Sequence, residues 1–226
     1  MRRYLSLIHS GVISATNENA LFEIVTEPTE IMAWQKKERR RLSERSEPLS
    51  WADIGVILDD PFYIVIRDLV RFPNGHLRGY SRLIGKANVN GGQGVVVFPQ
   101  FRDRVIVLHQ FRHATRQWHY EFPRGYGEPG TSAEENAVIE IRDEIGGQIA
   151  ELLDLGIMHN NTGLEGHSVS LFLAKLSSIG KPNVNEGIRS VEQLSLVEFE
   201  EWIANGKITD GFTIAAYTRA KLRGVI

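Results

Sequence analysis

Ala133, Ala137, Ile141 and Ile145 recur every four residues between a polar start and the stop Gly146-Gly147, and this spacing predicts one amphipathic helix that must bury its apolar stripe on something else. The start is marked twice. Thr131-Ser132-Ala133-Glu134 and Ser132-Ala133-Glu134-Glu135 both fit a capping box, one residue apart. The apolar partner lies upstream, where short β-type runs follow one another. Phe62 to Ile66 is β-branched and aromatic, and Leu69 to Phe72 meets Pro73-Asn74-Gly75 before His76 to Tyr80 resumes, a hairpin signal. Gly91-Gly92-Gln93-Gly94 opens Val95 to Phe98, and Gln100 to Asp103 turns the chain into Val105 to Leu108. No helix start follows that glycine cluster, so it reads as a strand entry rather than a phosphate cradle. Further strands are predicted over Leu152–Met158 and Val169–Ala174, with later helices after Leu196 and over roughly Asp210–Leu222. Strands in a block with helices inserted late predict an α+β sandwich, not an alternating parallel sheet.

Composition narrows the chemistry. The 226 residues are 42% hydrophobic and 24% charged, values of a globular protein rather than a disordered or fibrous one. With 26 basic against 28 acidic residues, the balance argues against a uniformly basic nucleic-acid binder while leaving room for a local basic patch. The absence of cysteine excludes disulfides, thiolate metal sites and a cysteine nucleophile. No apolar run reaches the roughly 20 residues of a bilayer span. The start Met1-Arg2-Arg3-Tyr4-Leu5 has a faint signal-like charge pattern, but Ser6, His9 and Ser10 interrupt it, and the expectation is a cytoplasmic protein without a membrane partner. Residues 1–50 differ in texture and form an N-terminal extension. A helical stretch from about Pro28 runs into a basic decad, Lys36 to Arg45, in which a pair such as Arg40 with Glu44 suits a solvated helix face.

The stretch Glu121-Phe122-Pro123-Arg124-Gly125-Tyr126-Gly127-Glu128-Pro129-Gly130 runs directly into the capped helix. On that helix Glu140, Asp143 and Glu144 stand at i, i+3 and i+4 and share one face. Three like charges so close repel, and a hard divalent cation is the natural neutraliser. From Gly125 to Gly147 the chain resembles the box of the Nudix hydrolases, G-x5-E-x7-R-E-U-x-E-E-x-G-U, with U an apolar residue. The spacing is intact, but Thr131 stands for the first glutamate, Ile139 for the arginine, Asp143 for one of the paired glutamates and Gly147 for the last apolar residue. Gln110-Phe111-Arg112, Glu121 to Gly125, and Gly206 to Thr213 with Ala215-Ala216 resemble motifs of the ADP-ribose pyrophosphatase branch.

The resemblance implies a Nudix-type α/β/α sandwich over residues 91–226 and a small antiparallel β-rich region over 51–90 through which a homodimer forms. It implies Mg²⁺ or Mn²⁺ held by Glu140, Glu144, more weakly Asp143, and the backbone carbonyl of Arg124, acting on a small nucleotide substrate. Arg112 then pairs with the diphosphate or stands as an exposed strand-end charge, and Glu121 contacts base or ribose or forms a salt bridge at the dimer surface. For the general base the loop Asn160 to His167 offers Glu165 and His167, with Glu165 slightly favoured; a histidine is competent near neutral pH. The missing arginine matters because in the family it orients a catalytic glutamate, and Arg142, offset by about 300° around the helix, points elsewhere. The implied activity is hydrolysis of ADP-ribose or a related nucleoside diphosphate sugar. The alternative is a weakened fold that binds nucleotide as a sensor. His109 and His113 lie across a strand end, where zinc binding is not expected, and Trp118 and Tyr120 either stack on a substrate ring or pack.

Overall fold

The computed structural model describes residues 1–226, which divide into two compact units, 1–89 with 161–167, and 90–160 with 168–226. In the first unit the elements are α1 (Arg2–His9), β1 (Glu23–Val25), α2 (Pro28–Glu44), a 3-10 turn (Leu49–Ala52), β2 (Gly55–Asp59), β3 (Tyr63–Arg71), β4 (Leu77–Gly85) and α3 (Lys86–Val89). β3 is the hub, pairing antiparallel with β1, β2 and β4. The β3–β4 register runs from Tyr63 opposite Gly85 to Arg71 opposite Leu77, so the Pro73-Asn74-Gly75 turn falls where the sequence places it. Along β3, burial alternates through Ile64 and Ile66 and is then continuous from Asp68 to Val70, and Ile64, Ile66 and Leu69 join a core with Tyr4, Ile31 and Ile54. Residues 1–50 are therefore not a separate extension: they supply β1 to this sheet and Tyr4 and Ile31 to its core.

The faintly signal-like start is α1, anchored by a polar contact the sequence does not announce. The Tyr4 hydroxyl donates to buried Asp68 at 2.6 Å, and Arg82 donates to the same carboxylate at 2.6 and 3.1 Å. Burial first, and the Asp68 charge second, push the Tyr4 phenol far above its ordinary range. On α2 the expected Arg40–Glu44 pair is not formed; Arg41 pairs with Glu38 and Arg39 with Asp53, because a three-residue offset and the neighbouring turn bring those acids closer. The segment 161–167 lies along β4, with Leu83 N–H donating to Leu164 carbonyl at 2.9 Å.

The second unit is a seven-stranded mixed sheet. Its strands are β5 (Gly94–Phe101), β6 (Arg104–Arg112), β7 (Gln117–Glu121), β8 (Arg124–Gly125), β9 (Gln148–Met158), β10 (Val169–Ser178) and β11 (Ile188–Leu194). The order is β11-β6-β5-β10-β9, with β7 on β6 and β8 on β5; only β5 and β10 run parallel. Helix α4 (Ala133–Ile145) covers one face, and α5 (Leu196–Ala204) and α6 (Gly211–Leu222) the other. Residues of β5 alternate between the two cores, Val95 and Val97 under α4, Val96 and Phe98 under α5 and α6. A strand covered on both faces needs a continuous apolar run, which is what Val95 to Phe98 is. The expected α/β/α sandwich is thus the observed one. No helix is long and apolar enough to cross a membrane.

Tyr4→Phe removes one hydrogen bond to a buried carboxylate while leaving the Arg82 bonds in place. It is expected to lower the stability of the N-terminal unit by about 1.5–3 kcal/mol in urea denaturation.

Candidate active site

Helix α4 begins at Ser132, the second of the two candidate caps: its side chain accepts from Glu135 N–H, and the Glu135 carboxylate accepts from Ser132 N–H. The loop before it is locked by a residue the sequence pattern hides. Asn136 is 2% exposed, donates to Gln93 carbonyl at 3.2 Å, and accepts from the Thr131 hydroxyl at 2.7 Å and from Glu128 N–H at 3.4 Å. A lone polar residue beside Ala137 on the buried stripe was the available signal. Thr131, where the box has glutamate, is therefore a loop-locking hydroxyl.

The helix carries Glu140 and Glu144 inward, against β8. Glu144 is 5% exposed and its Oε2 accepts the Arg124 backbone N–H at 3.2 Å. The Glu140 carboxylate lies directly on Gly125, where any added Cβ would overlap it. Glycine at 125 is required for this close approach. Burial, then the charge of Asp143, raises the Glu140 carboxyl to about 7; burial, then the charge of Glu140, raises Glu144 to about 8. Arg112 is the cation that opposes both shifts.

Asp143 flanks this pair from the solvent side. It is half-exposed and takes a 2.7 Å bond from Arg142 Nε, so Arg142, expected to point elsewhere, pairs with its own neighbour. No three acidic or histidine side chains converge as a ready-made metal cluster. What the site offers is a half-buried and a buried carboxylate, Glu140 and Glu144, that no lysine or arginine pairs directly, beside the backbone of Arg124 and Gly125. Such a donor set fits a hard divalent cation that completes its shell with carbonyl, water or phosphate oxygens.

Beside the carboxylates is a second charged group. Glu121, 1% exposed, holds Arg112 Nε at 2.5 Å and Arg124 Nη2 at 3.3 Å. Both its oxygens are thereby engaged, and Glu121 positions two arginines of the same chain. Arg124 also lies 4.8 Å over the Phe212 ring and 3.9 Å from Asp210, whose other oxygen caps α6 through Thr213. The Thr213 hydroxyl in turn accepts from Phe122 N–H at 2.8 Å, tying α6 to the strand end that carries Glu121 and Arg124. Arg112 Nη2 and Arg124 Nε are buried without a hydrogen-bond partner. The side chains of Arg124, Asp210 and Phe212 were missed in the sequence, where Arg124 was assigned only through its carbonyl.

Glu165 and His167 group with the N-terminal unit and face each other, Nε2 to Oε2, at 3.4 Å. Trp118 and Tyr120 belong to a row on β6 and β7: His109 stacks on Tyr120 at 4.4 Å, and Arg189 lies 4.3 Å over Trp118. His109 is held below its ordinary range by burial and then Arg189, while His113 bonds Arg116.

Residues 91–212 match the profile of the NUDIX domain, more than half of the chain. The chain belongs to the Nudix family. Among solved structures it is similar to one titled as an ADP compounds hydrolase, with a TM-score of 0.65 and 18% identity over 76% of this chain and 92% of that one. That likeness establishes a shared fold. A search of curated proteins returned no match.

The raised carboxyls set the sign of a pH effect. With Glu140 and Glu144 at about 7 and about 8 when folded, against 4.5 ordinarily, the metal-free folded chain binds more protons than the unfolded one in that window. The contribution of these two carboxyls to stability is then fully present below the ordinary carboxylate range and is lost as pH rises through the folded values. Metal-free protein should melt lower at about pH 9 than at about pH 6, and Glu144→Gln should flatten that difference. An unchanged slope in Glu144→Gln would assign the effect to other groups.

Proposed function

We propose that this chain is a metal-dependent Nudix pyrophosphohydrolase that cleaves ADP-ribose or a related nucleoside diphosphate sugar into a nucleoside monophosphate and a sugar phosphate. The observation that carries the proposal is the placement of half-buried Glu140 and buried Glu144 together beside Gly125 and the Arg124 backbone, with two arginines fixed alongside by Glu121. Mg²⁺ or Mn²⁺ at Glu140 and Glu144, helped by the Arg124 carbonyl and from the solvent side by Asp143, would supply Lewis-acid stabilisation of the phosphoryl oxygens and lower the pKa of bound water.

The chain's own part is positioning. Arg112 and Arg124 present guanidinium groups whose buried N–H atoms are unsatisfied, suited to the oxygens of a diphosphate. Glu121 keeps both planes oriented, and the Asp210–Thr213 cap keeps Arg124 against Phe212. For proton transfer the assignment stays with Glu165, assisted by His167 at 3.4 Å. The N-terminal sheet would join two copies as a homodimer in the cytoplasm.

One observation favours a second reading. Ile139 replaces the box arginine, and the only ion-pair partner of Asp143 is its exposed neighbour Arg142. A chain that binds nucleotide and turns it over poorly, as a sensor, is consistent with both.

A panel of nucleoside diphosphate derivatives assayed with Mg²⁺ and Mn²⁺ separates the two. Hydrolysis is expected, with Glu144→Gln lowering kcat by about 100-fold or more. Arg112→Ala is expected to raise KM as well as lower kcat. Tight binding without product would establish the sensor.

A further inference from the structure

The face of the seven-stranded sheet that carries Val105 and Val107 under α5 and α6 continues beyond that core. Side chains alternate along β6, so His109 and Phe111 follow on the same face, opposite Tyr120 and Trp118 of β7. Four flat rings therefore lie side by side on one two-stranded ribbon. Arg112 and Glu121 alternate to its other face, so this row is not part of the site built on them. Tyr120 packs against the core together with Trp202 of α5, their rings 4.7 Å apart and edge to face. Phe111 and Trp118 join neither core of this unit, and the Trp118 indole is 43% exposed.

A cation stands on each part of the row. Arg189 is the extra residue of a bulge in β11, and its guanidinium lies 4.3 Å over Trp118. Arg116, from the turn between β6 and β7, lies 5.2 Å over Phe111, while Lys207 lies 3.1 Å over Trp202 and 4.9 Å over Tyr120. All three are exposed, and no carboxylate pairs with any of them. The polar side-chain partners of the two arginines are histidine nitrogens, His113 at 2.8 Å from Arg116 and His109 at 3.2 Å from Arg189. Glu192, two residues past Ser190 on the same face, accepts from the Ser190 hydroxyl at 2.8 Å. Three cations against that one carboxylate leave the row positive, a local basic patch in a chain of net charge -2.

Cross-strand packing accounts for the rings, but it does not account for the cations gathered over them. Cation–π contact at an exposed site contributes about 0.5–1 kcal/mol and leaves the charge in place. An acidic peptide would answer the charges and leave the Trp118 indole unused. A bilayer would need apolar groups that protrude, whereas these rings lie along the sheet surface between cations. Alternate residues of a strand are about 7 Å apart, so rings and cations recur along a line. A chain that repeats both an anion and a flat base matches that recurrence.

We propose that this row binds single-stranded nucleic acid, with phosphates on Arg116, Arg189 and Lys207 and a base on the exposed face of Trp118. Stacking accepts any base, and arginine and lysine hold phosphate by charge-assisted hydrogen bonds. The inference stands on residues outside the carboxylate pair and does not depend on the hydrolase assignment.

The test uses the full chain without divalent metal and measures fluorescence anisotropy of labelled oligothymidine and oligouridine, each of about 12 nucleotides, against a duplex of the same length. Both single strands are expected to bind more tightly than the duplex. Trp118→Ala should weaken single-strand binding about fivefold or more, and Trp118→Phe should retain most of it. Arg116→Ala/Arg189→Ala/Lys207→Ala should weaken it about tenfold or more and make the slope of log affinity against log salt shallower by about 2. Glu144→Gln should leave it unchanged. Single-strand binding that is absent, that matches duplex binding, that is indifferent to Trp118 and the three cations, or that is lost in Glu144→Gln overturns the proposal. So does a chain that ignores the oligonucleotides and instead adsorbs to phosphatidylserine vesicles or self-associates through Trp118.

Discussion

Two carboxylates on successive turns of one helix, pressed out of water against a glycine and a backbone N–H, are the constraint around which the Nudix unit is arranged. Left alone, Glu140 and Glu144 repel and resist ionisation, as their values of about 7 and about 8 express. Their position persists because other parts of the unit leave α4 no alternative. Ala137, Ile141 and Ile145 are fully buried on the sheet, the reciprocal Ser132–Glu135 bonds fix the start, and Gly146 in the left-handed conformation ends the helix. A helix pinned at its stripe and at both ends delivers its acidic face to one place.

The arginines beside it follow a different logic. Glu121 is as buried as any core residue, yet it is a charge, and such a group is tolerated only when paired. It is paired twice, by Arg112 from β6 and Arg124 from β8, so one carboxylate links two strands and sets the direction of two guanidinium groups. The Asp210 cap of α6 reaches the same cluster through Arg124 and Thr213. Acidic and basic halves of the site are thus built by separate elements that meet at Arg124, whose backbone serves Glu144 and whose side chain serves Glu121.

Much of this was legible in the sequence, for physical reasons. The hairpin at Asn74-Gly75, the Ser132–Glu135 capping box before Ala133 and the run Val95 to Phe98 are local signals, and each formed as local chemistry dictates. Glu140 and Glu144 were legible because spacing on a helix fixes a face. What escaped depends on contacts distant in sequence. Helix α1 is held by Tyr4 meeting Asp68, 64 residues away, and no periodicity in eight residues reveals that. Asp143 stands three residues from Glu140 and neighbours it by spacing, but exposure lets Arg142 take it. Arg124 looked like a carbonyl donor because its side chain finds Glu121, Asp210 and Phe212 only once β8 and α6 are folded.

The central claim is that the inward-facing pair Glu140 and Glu144 forms a divalent-cation site. Titration of the chain with Mn²⁺, followed by the electron paramagnetic resonance of the free ion, addresses it without any substrate. The account predicts that the wild-type chain removes Mn²⁺ from solution and that Glu140→Gln/Glu144→Gln, folded by circular dichroism, does not. Equal depletion of free Mn²⁺ by both proteins would contradict it.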